Sequence, residues 1–144
     1  MKKLLVFVTL VFTTLLGACG LIEEVNNSLN YTNEALNHID RLSHFAEDAQ
    51  MKMGDAVSNP ETLNELEQQI AALKTDVEKF NEIDPQIIAE GVHGQIVDLN
   101  NKLLTEIDAV MENGELYIDK LQNSPIFNTI NELTKMKNLI ESIG

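Results

Sequence analysis

The chain has 144 residues, with 23 Asp and Glu against 10 Lys and Arg, a formal net charge of −13, one cysteine and no tryptophan. Such an acidic balance argues against a nucleic-acid partner, whose phosphates attract Lys and Arg, while permitting cationic partners. A single cysteine excludes an internal disulfide, and without Trp there is no indole platform on which a sugar could stack.

The first 18 residues read as an export signal. Lys2 and Lys3 form a positive start, and Leu4 to Leu15 an uncharged, mostly apolar run. That run falls short of the roughly 20 apolar residues that span a bilayer as a helix. Leu16-Gly17-Ala18-Cys19 follows. Gly17 and Ala18 are small enough for an extended backbone to enter a peptidase site, and Leu16 fits an apolar pocket. This tetrapeptide resembles the bacterial lipobox. The resemblance implies a diacylglyceryl group on the Cys19 sulfur and cleavage after Ala18. An ordinary secretory peptide or an uncleaved anchor helix would leave the position of the one cysteine unexplained. Two acyl chains anchor stably where one is marginal, at about 0.8 kcal/mol per buried CH₂. The expected address is the extracytoplasmic face of a bacterial cell membrane, with the lipid bilayer as first partner through diacylglyceryl-Cys19.

Removing 18 residues from 144 leaves 126, residues 19–144, enough for one domain with a single core. All 23 acidic residues and 8 of the 10 basic ones lie there, so the mature charge is 8 − 23 = −15. That speaks against a second, electrostatic contact with anionic lipid. Solubility outside the cell is the plainer meaning of the charge.

Helix one is expected from about Leu21 to about Met53. Ile22, Val25, Leu29, Leu36, Ile39, Ala46 and Met53 fall on a three-four spacing, widened by Leu42, Phe45 and Ala49, and Gly54 is a candidate stop. Only Gly20 separates Cys19 from the first apolar position, so the helix should begin at the membrane surface. Its roughly 33 residues would reach about 50 Å.

Three prolines each follow a capping residue: Asn59-Pro60, Asp84-Pro85 and Ser124-Pro125. Proline suits the first helical turn and the residue before it can accept free N–H groups, so each pair predicts a helix start. Ser58 with Glu61 offers an alternative capping box for the first. Helix two, about Pro60 to Ile83, carries Leu63, Leu66, Ile70, Leu73, Val77 and Phe80 at alternating spacings of three and four, a packing seam. Helix three, about Pro85 to Met111, carries Ile88, Val92, Ile96, Leu99, Leu103, Ile107 and Val110. Gly91 and Gly94 weaken it and suggest close helix approach or a bend, and Asn113-Gly114 ends it. Glu115 to Asn123 fits either a short helix or a loop. Helix four, about Pro125 to Ile143, shows Ile126, Ile130, Leu133, Lys137 and Ile140, flanked by Phe127, Met136 and Leu139. No segment reads as a strand. Short connections make consecutive helices antiparallel, so the expected fold is all-α, an up-and-down bundle of about four helices.

Candidate chemistry is thin. Glu90-x-x-His93 has the spacing of ferritin-like di-metal bundles, which need a second copy. Three residues before His38 stands Ala35, and three before His44 stands Arg41, so no metal is expected and His93 reads as a surface or boundary histidine. Glu34 with His38, and Asp40 with His44 and Asp48, lie one turn apart and could share a cation, although such pairs usually sit on a solvated face. Met51 and Met53 read as core or cap contacts before soft-metal ligands. No G-x-S-x-G and no Gly-rich phosphate loop occurs. No catalytic residue and no cofactor is expected. The apolar stripes serve an internal core first and a partner helix second.

Leu21-Ile22-Glu23-Glu24-Val25-Asn26-Asn27-Ser28-Leu29-Asn30-Tyr31, Asn33-Glu34-Ala35, Phe45-Ala46-Glu47, Leu63 to Leu66, Phe80-Asn81 and Ser124-Pro125-Ile126-Phe127 carry a resemblance to a family of small lipoproteins from bacilli, a domain of unknown function. It implies no activity, cofactor or site beyond the lipidated cysteine, which matches Cys19. The expected role is a non-enzymatic interaction or accessory module close to the membrane, binding another envelope protein. The alternative is a ligand- or cation-binding envelope lipoprotein.

Overall fold

A computed structural model describes the backbone of residues 2–85 and 89–143, and the side chains of residues 29–85 and 89–143. The cleavage and lipidation positions Ala18 and Cys19, and the apolar positions Ile22, Val25 and Ile88, lie outside the described side chains. The elements are α1 (Lys2–Ala56), α2 (Pro60–Asn81), α3 (Glu90–Val110), β1 (Met111–Glu112), β2 (Glu115–Leu116), α4 (Ile118–Gln122), α5 (Ile126–Lys135) and α6 (Lys137–Glu141). Among the described residues no helix is long and apolar enough to cross a membrane.

The long helices form the expected up-and-down bundle. α1 packs on α2 and α5, and α3 packs on the same two, closing a ring. Cross-links between neighbours show that each pair is antiparallel. Arg41, Asp48 and Lys52 of α1 meet Asp76, Gln69 and Glu65 of α2, one series rising as the other falls. Lys74 and Asn81 of α2 meet Asp108 and Asn101 of α3. Lys102 and Glu106 of α3 meet Glu132 and Thr129 of α5. Asp40 and Ser43 of α1 meet Lys137 and Thr134 beside and in α5.

The α2 seam is buried from Leu66 to Phe80 as its spacing predicts. On α1 Ile39, Leu42, Phe45, Ala46 and Ala49 are buried as expected, while Leu29 is 45% exposed. A second buried line runs through Tyr31, Ala35, His38, Leu42, Phe45 and Ala49. Those positions also repeat at four and three, so a tyrosine and a histidine occupy core places that apolar counting passes over.

The helix ends divide. Asn59 caps α2, its side chain accepting from the Glu61 and Thr62 N–H groups, with Pro60 in the first turn. Ser58 does not form the alternative box; its hydroxyl faces the Asp55 carbonyl. α1 continues through Gly54 to Ala56. α3 starts at Glu90, not at Pro85, and its N-cap position is Ala89, with no side-chain hydrogen bond. Pro125 itself takes the cap position of α5, and the Ser124 hydroxyl donates backwards to the Leu121 carbonyl, closing α4. The expected helix four is split at Met136, whose N–H turns to the Leu133 and Thr134 carbonyls. Met136 is buried there and Lys137 is drawn out to Asp40.

One small hairpin corrects the expectation that no segment is a strand. Met111 pairs with Leu116 and Glu112 with Glu115. The turn is Asn113-Gly114 at φ +53° and +87°. Two successive positive φ angles give the mirror-image turn that matches strand twist, and Asn-Gly is the pair that tolerates it best. Asn113-Gly114 thus reverses the chain after α3 has ended.

Candidate functional site

The notable polar cluster lies inside the bundle, between the first described turns of α1, the end of α2 and the start of α3. His38 is 1% exposed and Asn100 fully buried. The His38 Nε2 lies 3.1 Å from Asn100 Oδ1. Asn100 Nδ2 donates to Asn81 Oδ1 at 2.8 Å, and Asn81 Nδ2 donates on to Asn101 Oδ1 at 3.1 Å. That relay leaves Asn100 Oδ1 as acceptor, so the His38 Nε2 carries the proton and donates it. The imidazole lies flat on Phe80, centroids 4.2 Å apart and planes 11° apart. Its Nδ1 is buried without a partner.

Two helical turns toward the start of α1, Tyr31 Oη and His93 Nδ1 are 3.1 Å apart. Both rings also meet Phe80, at 6.4 and 5.5 Å. Phe80 is therefore the hub on which one tyrosine and two histidines from α1 and α3 gather. Burial governs the ionisation of all three. It pushes the Tyr31 phenol up to about 12. It pushes His38 down to about 4, against the smaller opposing pull of the Asn100 hydrogen bond and Asp76 and alongside the repulsion of Arg41. It also lowers His93, with Asp84 opposing. All three groups are neutral at neutral pH. The cluster is a clamp: neutral polar groups that bond only in one register of the three helices, as a buried Asn does in a coiled-coil seam.

The residues singled out from spacing do not converge. Glu90 is exposed while His93 turns inward. Glu34 stays on the surface and His38 is in the core. Asp40 is paired with Lys137. Asp48 is paired with Lys52 at 2.9 Å and takes Gln69 Nε2 at 2.8 Å, two hydrogen bonds that hold its carboxyl below the ordinary range. His44 remains exposed on the rim of an open groove of about 320 Å³ between α1 and α2, shared with Arg41, Asp48 and Asp76. Among the described residues no three His, Cys, Asp or Glu side chains are grouped to hold a metal ion. Met51 is 75% exposed and Met53 half-buried. Gly91 and Gly94 do not mediate a close helix approach, since a Cβ at either would meet nothing within 4 Å.

Tyr31, Asn81 and Asn100 escaped the reading by residue type. Their signal was positional. Asn100 stands four after Ile96 and three before Leu103, in the middle of a core line, where an amide must find partners or cost stability.

The model of a family of unknown function, DUF6376, matches residues 31–143, a span that opens on Tyr31. The chain is 30% identical over 131 residues to the uncharacterized lipoprotein YybP of Bacillus subtilis (strain 168), covering 89% of this chain and 88% of that protein. No solved structure matches the chain.

Proposed function

From the premise that the chain belongs to the DUF6376 family of unknown function, we propose that it is an extracytoplasmic lipoprotein, cut after Ala18 and held by diacylglyceryl-Cys19. In this reading the domain works beside the membrane as a non-enzymatic interaction or accessory module for another envelope protein.

The observation that carries the reading is the continuity of α1. Cys19 and Tyr31 belong to one helix, Lys2–Ala56, with no break between them. Twelve residues of helix measure about 18 Å. The anchor therefore delivers the clamp and the α2–α3 end of the bundle next to the lipid, and leaves the α1–α2 turn facing away. Met51 and Val57, 75% and 60% exposed, mark that outer end. The lipoprotein relative supports the anchor. The burial of Tyr31, His38 and His93 favours a structural over a catalytic use, since an activated nucleophile needs a base and an open approach.

Labelling with a tagged fatty acid tests the anchor. Wild type should carry label and sediment with membranes, and Cys19→Ala should lose both while keeping its helical circular dichroism. Mass spectrometry showing an intact leader or a free thiol at Cys19 would refute the anchor. Photo-crosslinking from Met51 and Val57 in intact cells should capture one envelope protein. Uniform background from both positions would refute the interaction role.

A further inference from the structure

On the side of the Arg41–Asp76 pair nearer the start of α1, helices α1 and α2 leave a second groove of about 290 Å³ between them. α1 contributes Glu34, Asn37 and Arg41, at spacings of three and four that place them in line on one helix face. α2 contributes Asp76 and Lys79, with Phe80 and Ile83 as the apolar part of the lining. The antiparallel register that sets Arg41 against Asp76 and Asp48 against Gln69 puts Asn37 level with Phe80 and Glu34 level with Ile83. Glu34, Asn37 and Lys79 are exposed, and none of the three makes a side-chain hydrogen bond or ion pair with another described residue. Arg41, its side chain 54% exposed, meets Asp76 through Nε at 3.3 Å, which leaves its two terminal nitrogens as further donors. Along the groove the order is a carboxylate at one end, an amide next to it and two cations beyond.

We propose that this groove binds a short zwitterionic peptide, a dipeptide with apolar side chains, its ammonium on Glu34, its peptide bond on Asn37 and its carboxylate on Lys79 and Arg41. The order of charges selects the ligand. A metal cation would meet two cationic side chains, and a simple anion would meet Glu34 and Asp76, whereas a zwitterion is attracted at both ends. Length agrees as well. The seven-residue step from Glu34 to Arg41 measures about 10 Å of helix. An extended dipeptide spans about 7 Å, which leaves the rest to the hydrogen bonds at its ends. The Asn37 amide offers a donor and an acceptor, as a peptide bond requires, and a guanidinium matches a carboxylate in shape as well as charge. This site is independent of the anchor at Cys19 and of the envelope partner, so its failure leaves that role untouched.

The test uses the full-length protein in detergent at constant ionic strength, followed by NMR of the backbone amides. The probe is alanyl-leucine, with N-acetyl-alanyl-leucine and alanyl-leucine amide as controls that each lack one charge. Signals of residues 34–41 and 76–83 should shift saturably, with a dissociation constant on the order of millimolar, the strength open to so few ligand atoms. Each control should bind about threefold more weakly, the modest worth of a solvent-exposed ion pair. Glu34→Gln should weaken alanyl-leucine about threefold and leave the acetylated peptide unchanged, while Lys79→Gln should weaken alanyl-leucine and leave the amide unchanged. Asn37→Phe, at an exposed position of α1, fills the groove and should abolish the response. All three positions are exposed, so the variants should keep the wild-type circular dichroism. Absence of saturable shifts in wild type, equal affinity for free and blocked peptides, or unchanged affinity in all three variants would overturn the proposal.

Discussion

Acid should loosen the clamp through His38, and the size of the effect follows from its surroundings. An unfolded histidine takes its proton near pH 6.5, whereas the folded His38 does so at about 4. The folded state therefore binds fewer protons, and stability must fall as the pH drops. The contribution is complete above about pH 6.5, shrinks between 6.5 and 4, and is fully lost below about 4. At 1.36 kcal/mol per pKa unit the whole difference is about 3 kcal/mol, and at pH 5 about 2 kcal/mol is already gone. Asp76 and Arg41 are the charges that act on the ring, with Asn100 and Phe80 against it. The assay is urea unfolding of wild type and His38→Gln at half-unit steps from pH 7.5 to 4.5. Gln keeps an N–H for Asn100 but cannot titrate. Carboxylates and His93 are common to both proteins and cancel in the difference. Wild type should be the more stable at neutral pH, and its advantage should shrink by about 2 kcal/mol by pH 5. Parallel curves, or a His38 ring that titrates by NMR near 6.5 in the folded protein, would refute the reasoning.

Other substitutions probe single contacts. Asn59→Ala removes the side chain that accepts from Glu61 and Thr62 and should cost about 1 kcal/mol in denaturant unfolding. Gly94→Ala should stabilise by about 0.5–1 kcal/mol, because the position is helical and exposed and its Cβ meets nothing within 4 Å. A fall in midpoint would show that the glycine has a packing duty. Leu66→Ala empties a fully buried seam position and should cost about 2–5 kcal/mol. Asn100→Leu should disorder the register between α1 and α3 more than it lowers helix content, seen as line broadening in NMR spectra with preserved far-ultraviolet dichroism.

The bundle was legible because apolar spacing and proline position are local signals. The α2 seam from Leu66 to Phe80 and the Asn59-Pro60 start came through intact. Ser124-Pro125 does mark the start of α5, without a side-chain cap, whereas Asp84-Pro85 lies ahead of α3, which starts at Glu90, because proline only forbids certain backbone states. The hairpin was missed although Asn113-Gly114 announces it, since strands of two residues leave no alternation to detect. The inner cluster was least visible. His38 was weighed against Glu34 on its own helix, yet its partner Asn100 is 62 residues away. Pairings of that range depend on which helices become neighbours. Only the cost of burying Asn100 at a core position could have pointed to them.

The unbroken course of α1 has a mechanical corollary. With the lipid tether at Cys19, as proposed, anchor and core share one helix, α1. Tilting its lower end swings the outer tip in proportion to length. About 57 Å of helix from Cys19 to Ala56 would turn a tilt of 10° into a sweep of about 10 Å at the tip. Forces felt at the bilayer would thus reach Met51 and Val57 as displacement, and a partner gripping that tip would sense the slope of the membrane beneath it.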